Sequence, residues 1–215
     1  MTLKLYFHPL SSFCQKVLIA FYENDIPFEP IMVNFAEAAS RREFLDLWRI
    51  GKIPVLKDEA RDWMVPETSI IIEYLDQHYP GTTRFIPADA DAARQMWMRD
   101  RFFDLYVEVP MQKIVGDRLR AQGQHDPFGV EEARRLLSTA LKLIDESMAG
   151  KDWAMGAEFT MADCAAAPAL WYANEVQPFA EEHANAYAYL ERLKARPSFA
   201  RALREAEPYL QYFPR

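Results

Sequence analysis

The chain has 215 residues, of which 50% are hydrophobic and 27% charged, with only 7 Gly against 14 Pro. This composition excludes a disordered or collagen-like chain, and at about 150 residues per domain the length allows one large domain or two small ones. A formal net charge of -7, shared by both halves of the sequence, gives no electrostatic support to nucleic-acid binding.

Cys14 and Cys164 are the only cysteines, too few for a disulfide framework. No apolar run nears the roughly 20 residues of a membrane span, and no basic start leads into a cleavable apolar stretch. A cytoplasmic protein with neither a membrane nor a nucleic-acid partner is therefore expected.

Leu3 to Phe7 is short and apolar, like a buried strand. Ser11 or Ser12 then supplies a helix N-cap ahead of Phe13, Val17 and Phe21, which recur every four residues. Pro27 closes that helix region, and Phe28 to Val33 reads as a second strand. Ser40-Arg41-Arg42-Glu43 has the spacing of a capping box and predicts a helix through Phe44, Leu47 and Trp48. Ile53 to Leu56 and Asp62 to Val65 are two short strands joined by a polar turn. From Pro66 the run Glu67 to Leu75 is helical and stops near Pro80-Gly81. The predicted order over residues 1–80 is βαβαββα.

Residues 81–88 form a linker, and from Asp89 to the last residue, 215, the strand signal disappears. Long amphipathic stretches cover Asp89 to Leu119 and Val130 to Met148, with Gly123 to Gly129 and Ala149 to Gly156 as punctuation. Pro110 predicts a kink or break near Val109. Thr160 and Asp163 form a capping box that opens an Ala-rich helix too apolar to lie outside. Two shorter helices are expected around Tyr187 to Lys194 and Ser198 to Glu205. The fold class is thus an α/β unit followed by an all-α unit.

The chemistry is narrowed first by what is missing. No G-x-G-x-x-G, no G-x-x-x-x-G-K-S/T and no H-E-x-x-H occurs, and the four histidines are far apart, so no nucleotide or metal site is expected. The segment Pro9 to Cys14 stands out because a strand hands over to a helix there. A helix N-terminus presents free amides and the positive end of the dipole, which stabilise a thiolate or another anion.

The spacing Ser11-x-x-Cys14 resembles the C-x-x-C of thioredoxins and glutaredoxins with the leading cysteine replaced by serine. Together with Gly51-Lys52-Ile53-Pro54, with Glu67-Thr68-x-x-Ile71-x-x-Tyr74-Leu75 and with Phe159-Thr160-x-Ala162-Asp163, it is similar to the cytosolic glutathione transferase superfamily over essentially the whole chain. The resemblance implies a thioredoxin-like N-terminal domain, an α-helical C-terminal domain, homodimers and glutathione as co-substrate for attack on an apolar electrophile.

The resemblance also implies roles for individual residues. Ser11, or alternatively Ser12, would hydrogen-bond the glutathione sulfur; the plainer reading of both is a helix cap. Phe13 belongs to the same binding segment. Pro54 resembles the family's cis-proline, which would present the backbone of Ile53 to the tripeptide as an added strand. Lys52 would meet the glycine carboxylate, and Glu67 and Thr68 the γ-glutamyl end, although each could equally be a solvated lysine or a helix cap.

Among the remaining candidates, Cys14 and Cys164 read as buried small hydrophobes. The stripe Met96, Trp97, Phe102, Phe103, Tyr106 and Met111 reads mainly as core, with Tyr106 the candidate for the lip of the second-substrate pocket. The sequence departs from the family pattern at Ser12, Gln15 and Trp48-Arg49. The Ser11-Ser12 pair is also similar to the zeta class, which implies a maleylacetoacetate isomerase as an alternative. A non-catalytic binding protein that keeps the fold is a further alternative.

Overall fold

The computed structural model describes residues 2–214; Met1 and Arg215, the outer ends of the two expected units, lie outside the described residues. Four strands, β1 (Leu3–Phe7), β2 (Glu29–Met32), β3 (Val55–Asp58) and β4 (Trp63–Pro66), form one sheet in the order β2-β1-β3-β4. β1 pairs with β2 in parallel and with β3 antiparallel, in a register that sets Leu5 opposite Leu56 and Leu56 opposite Val65. Three helices interleave with them: α1 (Ser12–Glu23), α2 (Ala38–Leu47) and α3 (Thr68–His78). The expected βαβαββα order is observed.

Strand alternation sorts the side chains onto the two faces. Leu3, Leu5 and Phe7 pack with Val17, Phe21, Ile71 and Leu75 of α1 and α3. Tyr6, Val33 and Val55 meet Phe44 of α2 on the other face. The capping box expected at Ser40 to Glu43 is not used. α2 starts earlier, at Ala38, and the Ser40 hydroxyl accepts the Asn34 amide at 3.0 Å. A side chain that bonds a preceding turn cannot also cap its own helix. β3 begins at Val55, two residues later than expected, because Pro54 has no N–H to give to the ladder. The Ile53–Pro54 peptide bond is cis.

The second half is helical: α4 (Ala90–Phe102), α5 (Val109–Arg118), α6 (Pro127–Met148), α7 (Met161–Val176), α8 (Ala184–Ala195) and α9 (Pro197–Ala206). Of the kink or break expected near Val109, the chain shows an irregular turn and no exit from the helix. A π-helical segment over Phe103–Glu108 joins α4 to α5 and keeps helical dihedrals through Val109. One extra residue in the turn absorbs the missing N–H of Pro110 without ending the helix. α6 starts before Val130, capped by Asp126, which accepts the Gly129 amide at 2.9 Å. A 3₁₀ segment, Glu207–Tyr212, follows α9 and was not expected.

The Thr160–Asp163 capping box is present at the start of α7. Asp163 also takes the Tyr189 hydroxyl at 2.5 Å and the Ala154 amide at 2.8 Å, so all its oxygens work within the core. Small side chains along α7 let α1 and α4 pack closely on it, burying most of the helix. Cys14 and Cys164 are both fully buried, as expected. Among the described residues no helix is long and apolar enough to cross a membrane.

The far edge of the sheet half is held by a buried carboxylate. Asp58 accepts Tyr74, Tyr79 and Arg61 at 2.7, 2.5 and 3.0 Å. Burial pushes its carboxyl up, but these bonds outweigh it and hold it at about 2, below its ordinary 3.8. Asp58→Asn should lower stability by about 2 kcal/mol at pH 7, measured by urea unfolding. The contribution is complete above about pH 4 and is lost as pH falls toward 2, so the gap between the two proteins should close over that window.

Candidate active site between the sheet and the long helix

β1 delivers the chain into a turn, His8 to Leu10, that α1 follows directly, with the Ser11 amide bonded to the His8 carbonyl at 3.0 Å. Helical half and turn are pinned together: the Tyr172 hydroxyl of α7 donates to the Leu10 carbonyl at 2.5 Å, and Gln15 Nε2 donates to the Pro9 carbonyl at 2.9 Å. Ser11 and Phe13, just after this turn, line one end of a cleft of about 680 Å³ between the sheet half and the α4–α5 helix.

The two adjacent serines point to different places. Ser11 is the N-cap of α1, is half-buried and lines the cleft. Its Oγ accepts the Cys14 amide at a long 3.4 Å, which leaves the hydroxyl proton free to donate. Ser12 is buried and donates to Oε1 of Glu108. Cys14 has its thiol pushed up to about 12 by burial, far from ionising at neutral pH.

The sequence-predicted residues Ser11, Phe13, Lys52, Ile53, Pro54, Glu67 and Thr68 all line this one cleft. Ile53 precedes the first paired residue of β3, so its backbone is outside the ladder. Glu67 caps α3 by position only: its side chain makes no cap bond, and its backbone is held at φ +69, ψ +121. A non-glycine residue there costs about 1–3 kcal/mol, and such strain concentrates where a ligand is held. Thr68, Ser69 and Ile70 of the first turn of α3 line the cleft, and no N-cap side chain bonds the amides there. With the start of α1 at one place, the start of α3 at another and Lys52 beside them, the cleft suits an elongated polar ligand with anionic groups.

Tyr106 is a correction. It lies outside the lining, half-exposed, with its ring stacked 5.2 Å from Phe102. Met96, Phe103 and Met111 of the same stripe are core, and Trp97 alone reaches the cleft. The wall is completed instead by Phe35, Trp48, Arg101, Leu105, Val109 and Gln112, none of them expected from the sequence. The signal was available: positions 101, 105, 109 and 112 share one helical stripe, beside the inward row Asp100, Asp104 and Glu108.

The profile "Glutathione S-transferase, N-terminal domain" matches residues 5–83, and "Glutathione S-transferase, C-terminal domain" matches residues 112–197. Glutathione S-transferase 3 of Zea mays is 30% identical, over 94% of this chain and 93% of its own. The chain belongs to the cytosolic glutathione S-transferase superfamily.

Another relative, FtsZ-localized protein A of Caulobacter vibrioides, is 29% identical over 96% of this chain and 92% of its own. Among solved structures, a glutathione S-transferase from Methylobacterium radiotolerans in complex with glutathione sulfonate superposes with a TM-score of 0.79 at 26% identity, covering 94% of each chain. The superfamily fold, a thioredoxin-like domain followed by a helical one, is that of this transferase homologue.

The strain at Glu67 has a measurable consequence. Glu67→Gly relieves it and should leave unfolding stability unchanged or raise it by up to about 1 kcal/mol, the gain being offset in part by chain entropy. Glu67→Ala keeps the strain and should show no such gain in the same denaturant titration.

Proposed function

We propose that this protein is a glutathione transferase in which Ser11 donates a hydrogen bond to the sulfur of bound glutathione and so favours its thiolate for attack on an electrophile. The observation that carries the reading is the hydroxyl of Ser11, free to donate at the start of α1 and open to the same cleft as Ile53, Glu67 and Thr68. The tripeptide would lie along that row. Its sulfur would sit at Ser11, its backbone against Ile53, its γ-glutamyl carboxylate at the amides of Thr68 with Glu67 near the amine, and its glycine end near Lys52. Phe13 closes the cleft beside the sulfur.

A free thiol near pKa 8.5 is only a few per cent ionised at pH 7, and lowering it by two units is worth about 2.7 kcal/mol. One hydrogen bond to a developing charge plus a helix N-terminus supplies an amount of this size. The enzyme's remaining contribution is to hold the thiolate and the electrophile in contact. Leu105, Val109 and Trp97 give the second substrate an apolar wall, and Arg101 and Gln112 give it polar contacts. A cytoplasmic homodimer belongs to the same reading; exposed Trp63, Ile70 and Met98 support a paired face.

A second reading, a binding module without catalysis, is favoured by the likeness to the FtsZ-localized protein. Calorimetry with glutathione and ultraviolet titration of the bound thiol separate the two. Ser11→Ala should raise the thiol midpoint by about one to two units and lower kcat/KM for a conjugation substrate 10- to 100-fold near pH 6.5, with little change in KM for glutathione. Ser12→Ala should leave the midpoint near the wild-type value and act on stability instead, since it strips a buried carboxyl of a donor. Binding of glutathione with an unshifted thiol in the wild-type protein would replace the enzyme reading by the module.

A further inference from the structure

On the inward side of the long helix, Asp100, Asp104 and Glu108 follow one another at four-residue spacing, 0, 6 and 1% exposed, with Asp104 also reaching the cleft lining. α1 meets them with one buried cation, Lys16, whose Nζ lies 2.7 Å from Asp100 Oδ1 and 2.9 Å from Asp104 Oδ2. Arg101 adds a second cation 3.5 Å from Asp104. Two cations balance two carboxylates, and Glu108 is the acid left over. Its partners are neutral, the Ser12 hydroxyl and Gln112 Nε2 at 3.1 Å, and its Oε2 is buried with no partner. An ionised Glu108 would be an uncompensated buried charge, a costly arrangement that a proton removes.

One neutral partner, Gln112, lines the cleft wall, and the other, Ser12, is the buried residue next to the cleft-lining Ser11. We propose that Glu108 is a positioning residue of the thiol site and keeps its proton whenever the cleft holds a thiolate, so that its ionisation and that of bound glutathione compete. The inference rests on the reading of Ser11 above. When glutathione ionises, its proton leaves to solvent while Glu108 retains its own; when Glu108 ionises, a second negative charge stands behind the Ser11–Ser12 turn and opposes the first.

Several of the groups around Glu108 hold their charge state near neutrality. Burial pushes its carboxyl up to about 7, Asp104 adding to that rise while Ser12, Gln112 and Lys16 moderate it. From α1, Lys16 stays charged, its pKa raised as the two aspartates outweigh burial, and Cys14 stays neutral. From α7, Tyr172 is held neutral by burial. On its own helix Asp104 is raised by burial and pulled back by Lys16, next to Asp100. α5 contributes Gln112, and the buried face of α6 is apolar, with Ala133, Leu137 and Leu141.

The test uses the full-length protein with carboxyl-labelled glutamate, the Glu108 resonance being assigned by its loss in Glu108→Gln. The protein is titrated once with S-methylglutathione, which has no ionisable thiol, and once with glutathione. For two charges within roughly 10 Å at an effective dielectric near 20, the Glu108 midpoint should rise by about one unit in the glutathione complex. Because Glu108 keeps its proton while the thiol ionises, Glu108→Gln, which stays neutral and retains an oxygen to accept from Ser12, should leave the thiol midpoint within about 0.3 unit of the wild-type value. Equal Glu108 midpoints in the two complexes overturn the proposal, and so does a Glu108→Gln protein whose bound thiol titrates about a unit or more below the wild type, since Glu108 would then be charged beside the thiolate. If the variant does not fold, the comparison of the two ligands in the wild-type protein still decides. Failure of the wild type to bind either ligand removes the glutathione reading itself, an outcome distinct from binding with equal midpoints.

Discussion

Successive residues of a helix point about 100° apart, so two hydroxyls at the start of one helix cannot both look into the same cleft. In this protein the division is sharp. Ser11 caps α1 and opens to the cleft, while Ser12 turns into the interface with the helical half and meets Glu108. The place of the first hydroxyl is fixed by what holds the second, together with the bonds from Tyr172 to Leu10 and from Gln15 to Pro9. The turn that leads into the cleft is thus held from behind by residues from α1, α7 and the long helix.

The charged cluster beneath that turn is costly to bury and does more to specify than to stabilise. Lys16 with Asp100 and Asp104 gains little over an apolar packing of the same volume, yet removing any one member would leave an unmatched charge, at about 3–5 kcal/mol. Ser69 extends the cluster, accepting from Lys16 at 3.0 Å and donating to Asp100 at 2.6 Å, so the start of α3 is tied to the same helix. Both helix N-termini that face the cleft are therefore registered against one row of carboxylates. The arrangement fixes how the sheet half meets the helical half, where apolar packing of α1 on α7 alone would tolerate sliding.

Much of this was legible from local pattern. The strand Leu3–Phe7 and the capping box at Thr160 and Asp163 depend on neighbours close in sequence and are found in place, and Lys52, Ile53, Pro54, Glu67 and Thr68 line one cleft. The misses involve partners far away or competing near ones. Ser40 had the right spacing for a cap but was claimed by Asn34. Which of Ser11 and Ser12 opens to the cleft turned on Glu108, 96 positions along the chain, which no short-range pattern reveals. In the long helix an aromatic stripe attracted attention, whereas the cleft took the neighbouring stripe of mixed character. The π segment at Phe103–Glu108 has one residue too many for simple 3.6-residue phasing, and that shift falls between the two stripes.

The long helix also separates two kinds of freedom. Arg101, Leu105, Val109 and Gln112 form its outer row, and none belongs to the sheet half that would hold the tripeptide. Asp100, Asp104 and Glu108 form its inner row, locked to α1 and α3. Arg101 and Gln112 bond to that inner row, at Asp104 and Glu108, whereas Leu105 and Val109 do not. Under the proposed function, diversifying the codons of Leu105 and Val109 would therefore retune which acceptor molecules are taken while the end that handles the sulfur is inherited unchanged.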